Sequence, residues 1–277
     1  MNSGWKLFLA NKGAVAGAIM LIIIALAGLF GEMLYPVSAM DIVAAPLEAP
    51  SLSLPMGADY LGRDVLAGIL HGAGTTLIIS LAATLTTVVL GLFLIGAVAG
   101  FFGGRIDNML MRLTEFFQVL PPILLAMVLV AVFGPGLNNA IIAIGITLLP
   151  GSQRVVRATT LSERARVYVD AAQVIGASGA RIAFRHIAPN TLAPVLVLGS
   201  AYLGAAILLE ATLGFLGLGA QPPTVSWGSM LSGVGLRFLE SYPWLALFPG
   251  LAISLTVLAL SLLGDVMRDV RDPRLRI

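Results

Sequence analysis

The chain has 277 residues, of which 58% are hydrophobic and only 11% are charged, and its formal net charge is +2. The polar side chains are too few to cover the surface of a soluble globular protein, so the composition predicts a membrane protein. The spans are predicted to be helices, because the strands of a membrane barrel would alternate apolar and polar residues. The absence of cysteine excludes a disulfide framework and cysteine-ligated metal centres, and the basic residues are spread over separate loops, which argues against nucleic acid as a partner.

Six apolar runs approach or reach the roughly 17 to 25 residues that a membrane-spanning helix needs. Turn residues at 134–139 interrupt one long uncharged run, which therefore predicts a hairpin of two short spans. The expected fold is all-α, a polytopic bundle of six transmembrane helices. In chain order, the spans are predicted at residues 14–30, 77–102, both arms of 116–153, 191–219 and 243–264.

The first run also has an alternative interpretation as the apolar core of a signal peptide, with Val37-Ser38-Ala39 as the cleavage site. It is longer than the usual core of about 7 to 15 residues, and Glu32 and Pro36 separate it from that triplet. An uncleaved first span is therefore the favoured prediction.

Lysine and arginine predict the orientation, because positive residues in short loops stay on the cytoplasmic side. With six spans, every lysine and arginine except Arg63 and Arg237 falls on the side of the termini, so both termini are predicted to be cytoplasmic. The predicted parts are a cytoplasmic N-terminus at 1–13, a transmembrane domain at 14–264 with an outer loop at 35–75 and a charged segment at 154–190, and a cytoplasmic tail at 265–277.

The sequence contains none of the common catalytic or phosphate-binding motifs, so an enzyme is not expected. Its two histidines, His71 and His186, are expected to pack at the interface and in the charged segment, not to bind metal. Energy for uphill transport would then come from ion coupling or from a partner protein. Ion-coupled carriers place ionisable residues inside their spans, and Glu210 is the one clear candidate here. Glu210 is interpreted either as structural or as a pathway or gate residue.

The charged segment has the pattern of a helix, a turn and a second helix. Ser162 is predicted to cap the first helix, and Gly176 to end it. One alternative is an amphipathic loop on the anionic inner leaflet. One face of the first helix is predicted to carry Val167, Ala171, Val174 and Ile175; the second helix is predicted to present Ile182, Ala183 and Ile187 on one side and Arg181 and Arg185 on the other.

The order of residues in this segment resembles the EAA motif of bacterial ABC importer permeases. In that family the motif forms a coupling helix that docks on the ATPase subunit. The aspartate stands where glutamate is usual, and Ala188 where leucine is usual, but the spacing is kept. Small alanines would allow close packing, and a glycine would allow a tight turn. The matching residues are Asp170, Ala171, Ala172, Gly176 and Pro189.

A second motif, at residues 57–65, resembles the GTDxxGRDV signature of the peptide/nickel branch, specifically its C-type subunit. His71-Gly72-Ala73-Gly74 lacks the arginine that is usual there. Residues 65–70 have an apolar helical face and predict a short helix in the outer interface. The motif is expected to order the outer loop; alternatively, its arginine helps to dock a binding protein. The motif residues are Gly57, Asp59, Gly62, Arg63 and Asp64, with Ala58 in place of threonine.

The resemblance extends over nearly the whole chain and implies a permease subunit of a binding-protein-dependent ABC importer in the bacterial inner membrane. It implies pairing with a homologous second permease as a heterodimer, two ATP-binding subunits that bind ATP and Mg²⁺, an extracytoplasmic substrate-binding protein, and contact with membrane lipid. No cofactor is expected on this chain. Di- or oligopeptides are the expected substrates and nickel or a metal chelate is the alternative, while an ion-coupled carrier and a passive channel are rivals from other classes.

Overall fold

The computed structural model describes residues 8–91, 103–232 and 240–271. These residues form helices and no β-strand; two isolated bridges lie in the loop after the first helix. The helices, labelled in chain order, are α1 (Lys12–Leu34), α2 (Val65–Val89), α3 (Gly104–Gln118), α4 (Pro122–Phe133), α5 (Leu137–Arg164), α6 (Val167–Val174), α7 (Gly179–Arg181) with a π-helical continuation (Ile182–Ile187), α8 (Ala188–Phe215), α9 (Trp227–Leu231) and α10 (Trp244–Arg271).

The prediction of an all-α, polytopic membrane bundle is confirmed. Five of the described helices are long and apolar enough to cross a bilayer, and the number is six if α3 and α4 are counted as one broken span. These two helices meet at an angle of 95°. With 12 residues, α4 is only about 18 Å long, which is less than the roughly 30 Å hydrocarbon core.

The prediction of a hairpin of two short spans at residues 116–153 is partly correct. The break is confirmed, because Gly134 and Gly136 adopt positive φ angles of 91° and 143° between α4 and α5. The prediction that both arms are short is wrong for the second arm, since α5 has 28 residues and continues through Pro150 into the charged segment.

The second span begins earlier than the sequence predicts. Asp64 caps α2, which starts at Val65, whereas the sequence predicts a start at residue 77. The prediction of a separate interfacial helix at residues 65–70 is therefore wrong, because those residues form the first turns of α2. The apolar face of these turns packs inward: Val65 is 2% exposed and lies beside Leu245 of α10. The last part of the predicted span, residues 92–102, lies outside the described residues.

The outer loop and the charged segment lie at opposite ends of the bundle. Along the seam between α2 and α5, Gly145 borders Ala83 and Thr86, and further on Ser152 borders Gly91. The two helices are therefore parallel. The loop that precedes α2 marks one end, which we call the loop end, and the segment that follows α5 marks the other, which we call the charged end.

The described ends of α1 and α10 lie together at the charged end. Gly13 and Gly17 of α1 contact Leu262 and Ala259 of α10, whereas Gly31 near the other end of α1 contacts Leu70 of α2. Because both ends of the described chain lie at the same end of the bundle, the chain must pass from one end of the bundle to the other an even number of times. The side of the membrane that the charged end faces remains a prediction from the arginine count.

Candidate functional site

After the end of α5, the charged segment folds as two short helices around a small apolar core. α6 follows α5 after Ala165 and Arg166, and α7 with its π-helical continuation leads into α8. Ser162 does not cap α6 as the sequence predicts, because α5 continues through it to Arg164 and no side chain caps α6. The inward face of the second helix is as predicted. The core consists of Val169, Ala172, Ile182, Ala183 and Ile187.

One apolar face of this segment has no cover within the described chain. Val167, Val174 and Ile175 are 82%, 87% and 83% exposed. Asp170 and Ala171, which belong to the predicted coupling residues, are also exposed, whereas Ala172 is buried in the small core. Apolar side chains that are exposed together next to charged residues mark a surface for a protein partner or a membrane.

Gly176 ends α6 in a Schellman motif. Its φ is +82°, its N–H donates to the carbonyl of Gln173, and the N–H of Ala177 donates to the carbonyl of Ala172. A Cβ at this glycine would meet no atom within 4 Å. The glycine is therefore required for its left-handed backbone conformation, and the space above the turn is open.

Tyr168 joins the two ends of the segment, a role that sequence reasoning missed. Its hydroxyl donates to Glu163 Oε2 (2.9 Å) in the last turn of α5 and accepts from Asn190 Nδ2 (3.3 Å) in the first turn of α8. Pro189 occupies that first turn, directly after the π-helical residues. Burial raises the pKa of Tyr168, so the phenol stays neutral and keeps its proton for Glu163.

α3 is fastened to α5 by three polar contacts, which lie in the second half of α5. Nε and Nη2 of Arg157 donate to the two carboxylate oxygens of Asp107 at 2.7 Å and 2.5 Å. The Asp107 side chain is 11% exposed. The other two contacts are Gln153 to Thr114 and Arg154 to Gln118. Sequence reasoning missed these pairs, because their members are 36 to 50 residues apart.

At the loop end, the backbone of the outer-loop motif is held by its own aspartate and glycines. Oδ1 of Asp59 accepts from the N–H groups of Leu61 and Arg63 at 2.7 Å and 2.9 Å. Gly57 and Gly62 have φ angles of +74° and +80°. A Cβ at Gly62 would lie 2.3 Å from the carbonyl oxygen of Ala44, so no other residue fits there.

Asp64 connects the start of α2 to the end of α1. Its side chain is buried, and Oδ1 accepts from the N–H groups of Leu66 and Ala67. Oδ2 accepts from the hydroxyl of Tyr35 at 2.5 Å. This hydrogen bond, together with burial and the nearby negative charge, raises the pKa of Tyr35 to about 12.

Tyr35→Phe is expected to destabilise the purified protein by about 1 kcal/mol at pH 7, because it removes a hydrogen bond to a buried carboxylate. The folded-state pKa of the phenol is raised above its usual value of about 10, so the contribution is present below pH 10 and is lost as the pH rises towards 12. Thermal unfolding in detergent from pH 6 to 11 measures it. The control is Tyr60→Phe, since the Tyr60 hydroxyl has no hydrogen bond among the described residues; equal melting temperatures for both variants would contradict the prediction.

A cleft of about 210 Å³ lies between the outer-loop motif and residues 214–232. Arg63 lines it, and the guanidinium Nε is buried without a hydrogen-bond partner. No ion pair to Arg63 exists among the described residues. The motif therefore contains one side chain that loop ordering does not explain.

Glu210 is fully buried where α2, α8 and α9 meet. The hydroxyls of Thr76 and Ser226 face its carboxyl group, although neither carboxyl oxygen has a hydrogen bond of normal geometry. These hydroxyls accept from the N–H groups of Trp227 and Ser229 and keep their protons free for Glu210. In this conformation, the chain itself encloses the carboxyl group. A pathway or gate role for Glu210 stays a prediction.

The two histidines have local contacts. Nδ1 of His71 lies 2.8 Å from the carbonyl oxygen of Ala67, and its Nε2 lies 3.5 Å from Glu32 at the end of α1. The half-buried His186 lies in the π-helical turn, where its carbonyl accepts from Asn190. His71 therefore lies between α2 and the end of α1, whereas the hydrogen bond at His186 is made by its backbone carbonyl.

Comparison with known proteins covers nearly the whole chain. Residues 92–277 match the family described as binding-protein-dependent transport system inner membrane component, and residues 2–50 match the N-terminal TM domain of oligopeptide transport permease C. The di/tripeptide transport system permease protein DppC of Pseudomonas aeruginosa (strain UCBPP-PA14) is 39% identical over 98% of this chain and 91% of its own length. The dipeptide transport system permease protein DppC of Escherichia coli (strain K12) is 43% identical over 98% and 92%. The glutathione transport system permease protein GsiD of Pectobacterium atrosepticum is 37% identical over 98% and 90%.

Proposed function

Because the chain belongs to the family of binding-protein-dependent transport system inner membrane components, we propose that it is the permease subunit of an ATP-driven importer of di- and oligopeptides. It is a multi-pass inner-membrane protein. In this proposal it forms half of the substrate path and has no ATPase site of its own.

The proposed assembly contains a second, homologous permease chain, two ATP-binding subunits that hold ATP and Mg²⁺, and an extracytoplasmic substrate-binding protein. The charged end would face the cytoplasm, as the distribution of arginine predicts. The loop end would then face the binding protein. Transport follows from alternating access, in which the ATP-binding subunits favour a different arrangement of the permease pair when they close.

The observation that carries the proposal is the uncovered apolar face of the charged segment. Val167, Val174 and Ile175 lie on a rigid unit, because α6 is closed by the Gly176 turn and joined to α5 and α8 through Tyr168. A rigid, exposed apolar face with open space around it is suited to inserting into a cleft on an ATP-binding subunit. A membrane-surface helix would need no such fixed connections.

Movement of the charged segment has a direct structural route into the bundle. α5 continues from the segment as one helix of 28 residues, or about 42 Å. The contact between Asp107 and Arg157 makes α3 follow α5. In the proposed mechanism, a shift of the charged segment therefore moves α3, α4 and α5 together against α2 and α8.

Short peptides are the proposed cargo, because the three relatives named above are described as carrying dipeptides, di- and tripeptides, or glutathione, which is itself a tripeptide. The alternative is nickel or a metal chelate, which the broader branch suggests. The complete transporter should therefore accumulate dialanine in proteoliposomes in an ATP-dependent manner. Accumulation of a nickel chelate with no dialanine uptake would overturn the peptide assignment.

The variant Ile175→Asp tests the docking face in the same preparation. A carboxylate at the centre of an apolar interface is expected to reduce copurification of the ATP-binding subunits and dialanine uptake about tenfold, since desolvating it costs 1–2 kcal/mol or more. Leu52→Asp, at a fully exposed position in the outer loop, is the control and should keep the ATP-binding subunits. Normal copurification with Ile175→Asp would refute docking at this face.

A further inference from the structure

The cleft at the loop end holds a guanidinium, that of Arg63, which forms no ion pair among the described residues. Two carboxylates line the cleft beside Arg63, but their hydrogen bonds are directed elsewhere. Both oxygens of Asp64 accept from the start of α2 and from Tyr35, and Oδ1 of Asp59 accepts from two backbone N–H groups. Arg63 donates no side-chain hydrogen bond within the described residues, and its Nε is buried. An unpaired buried donor is costly unless a ligand supplies the acceptor.

Three hydroxyl groups around the cleft are also able to donate a hydrogen bond to a ligand. The hydroxyls of Tyr60, Thr224 and Ser232 line it and form no hydrogen bond among the residues that the structure describes. The amide nitrogen of Gln221 is already used by the carbonyls of residues 217 and 219, and the hydroxyl of Ser229 is used by residue 226. The cleft therefore presents one guanidinium, three hydroxyl groups and Oδ2 of Asp59, which forms no hydrogen bond among the described residues.

We propose that this cleft is a carboxylate-binding site in which Arg63 is the principal anchor. A guanidinium matches the two oxygens of a carboxylate and forms short, charge-assisted hydrogen bonds with them. At about 210 Å³ the cleft is smaller than the roughly 300–1,000 Å³ pockets that hold whole drug-sized ligands, so it accommodates an end group.

Two sources of that carboxylate follow from the location of the cleft, and both rest on the proposed function. One is the C-terminal carboxylate of a peptide that enters the substrate path at the loop end. The other is an acidic side chain of the binding protein that docks there. The chemistry at Arg63 is the same in both cases, so the experiment must distinguish the two sources.

Because the chain contains no cysteine, Thr224→Cys introduces a single thiol into the cleft. In the assembled transporter in lipid nanodiscs, we expect a negatively charged methanethiosulfonate, with a sulfonate head, to modify this thiol about tenfold faster than one with a trimethylammonium head. Arg63→Gln should bring the ratio close to one, and Arg63→Lys should preserve it. Mass spectrometry of this chain measures both rates.

A thiol outside the cleft, from Leu52→Cys, should show a ratio that Arg63→Gln does not change. Faster modification of the cleft thiol by the cationic reagent, or a ratio independent of Arg63, would overturn the proposal, because the aspartates would then dominate the cleft.

Protection of the cleft thiol identifies the source. Slower modification with dialanine, but not with its C-terminal amide, assigns the carboxylate to the peptide. Slower modification with the peptide-free binding protein assigns it to an acidic side chain. If neither protects, the site is refuted. ATP-dependent dialanine uptake by the unmodified transporter is measured in parallel, so failure of the transport function is seen separately from failure of the site.

Discussion

Replacement of Gly176 by valine is expected to reduce ATP-dependent uptake at least about 30-fold, while the chain still reaches the membrane. At φ +82° a β-branched residue is strained by about 1–3 kcal/mol, and the Schellman turn that holds α6 against α7 must change to relieve it. Since no atom of this chain lies within 4 Å of the added Cβ, the bundle itself is not disrupted. The effect should therefore appear in uptake and in copurification of the ATP-binding subunits.

Two further variants distinguish the specific effect of the Gly176 turn from the backbone strain that any glycine replacement at a positive φ angle causes. Gly176→Asn should retain more uptake than Gly176→Val, because asparagine tolerates the left-handed conformation. Gly217 has a φ of +73° and equally open surroundings, but it lies at the loop end. Gly217→Val should therefore leave copurification of the ATP-binding subunits unchanged. If Gly176→Val keeps normal uptake, the charged segment is not the coupling element.

The second large effect concerns the pair that joins α3 to α5. Asp107→Ala leaves Arg157, whose side chain is 33% exposed, without its partner. We expect a loss of about 3 kcal/mol and a decrease in melting temperature of roughly 5 to 10 °C in detergent. The Arg157→Ala single variant and the double variant complete a cycle, which should give a coupling energy of about 2 kcal/mol.

An exposed ion pair at the same end of the bundle is the control for this cycle. Arg166 and Glu163 are 3.1 Å apart, but the Arg166 side chain is 62% exposed. Their coupling energy should be about 0.5 kcal/mol or less, because water screens the pair. A coupling energy at Asp107 and Arg157 as small as that of the control would mean that the pair does not fasten α3 to α5.

The number and approximate position of the spans could be predicted from the sequence because the bilayer imposes a length on apolar runs. The start of α2 was misplaced, since Arg63, Asp64 and His71 gave its surroundings a polar appearance. A signal was present: an aspartate directly before an apolar run is a typical helix cap, and Asp64 has this role. Burial of this cap beneath Tyr35 could not be read from the sequence, because it depends on how α1 packs against α2.

Within the charged segment, local spacing predicted the glycine turn and the inward face of the second helix. It placed Ser162 incorrectly, because a helix that already began at Leu137 continues through that serine. The pairing of Asp107 with Arg157 depends on the tertiary path of the chain, which spacing does not encode. Arg63 was recognised from the outer motif, but its unpaired state became visible only when the hydrogen bonds of its neighbours were known.

The seam between α1 and α10 has a consequence for biosynthesis. Gly17 lies so close to α10 that an added Cβ would be 2.9 Å from the carbonyl oxygen of Ala259. α1 is translated more than 200 residues before α10 is complete, which at about 5–20 residues per second is a delay of roughly 12 to 50 s. During that time the glycine face of α1 lacks its final neighbour. The last described helix to leave the ribosome therefore closes the bundle on the first, and a chain that stops before α10 would carry an open seam that membrane quality-control proteases can recognise.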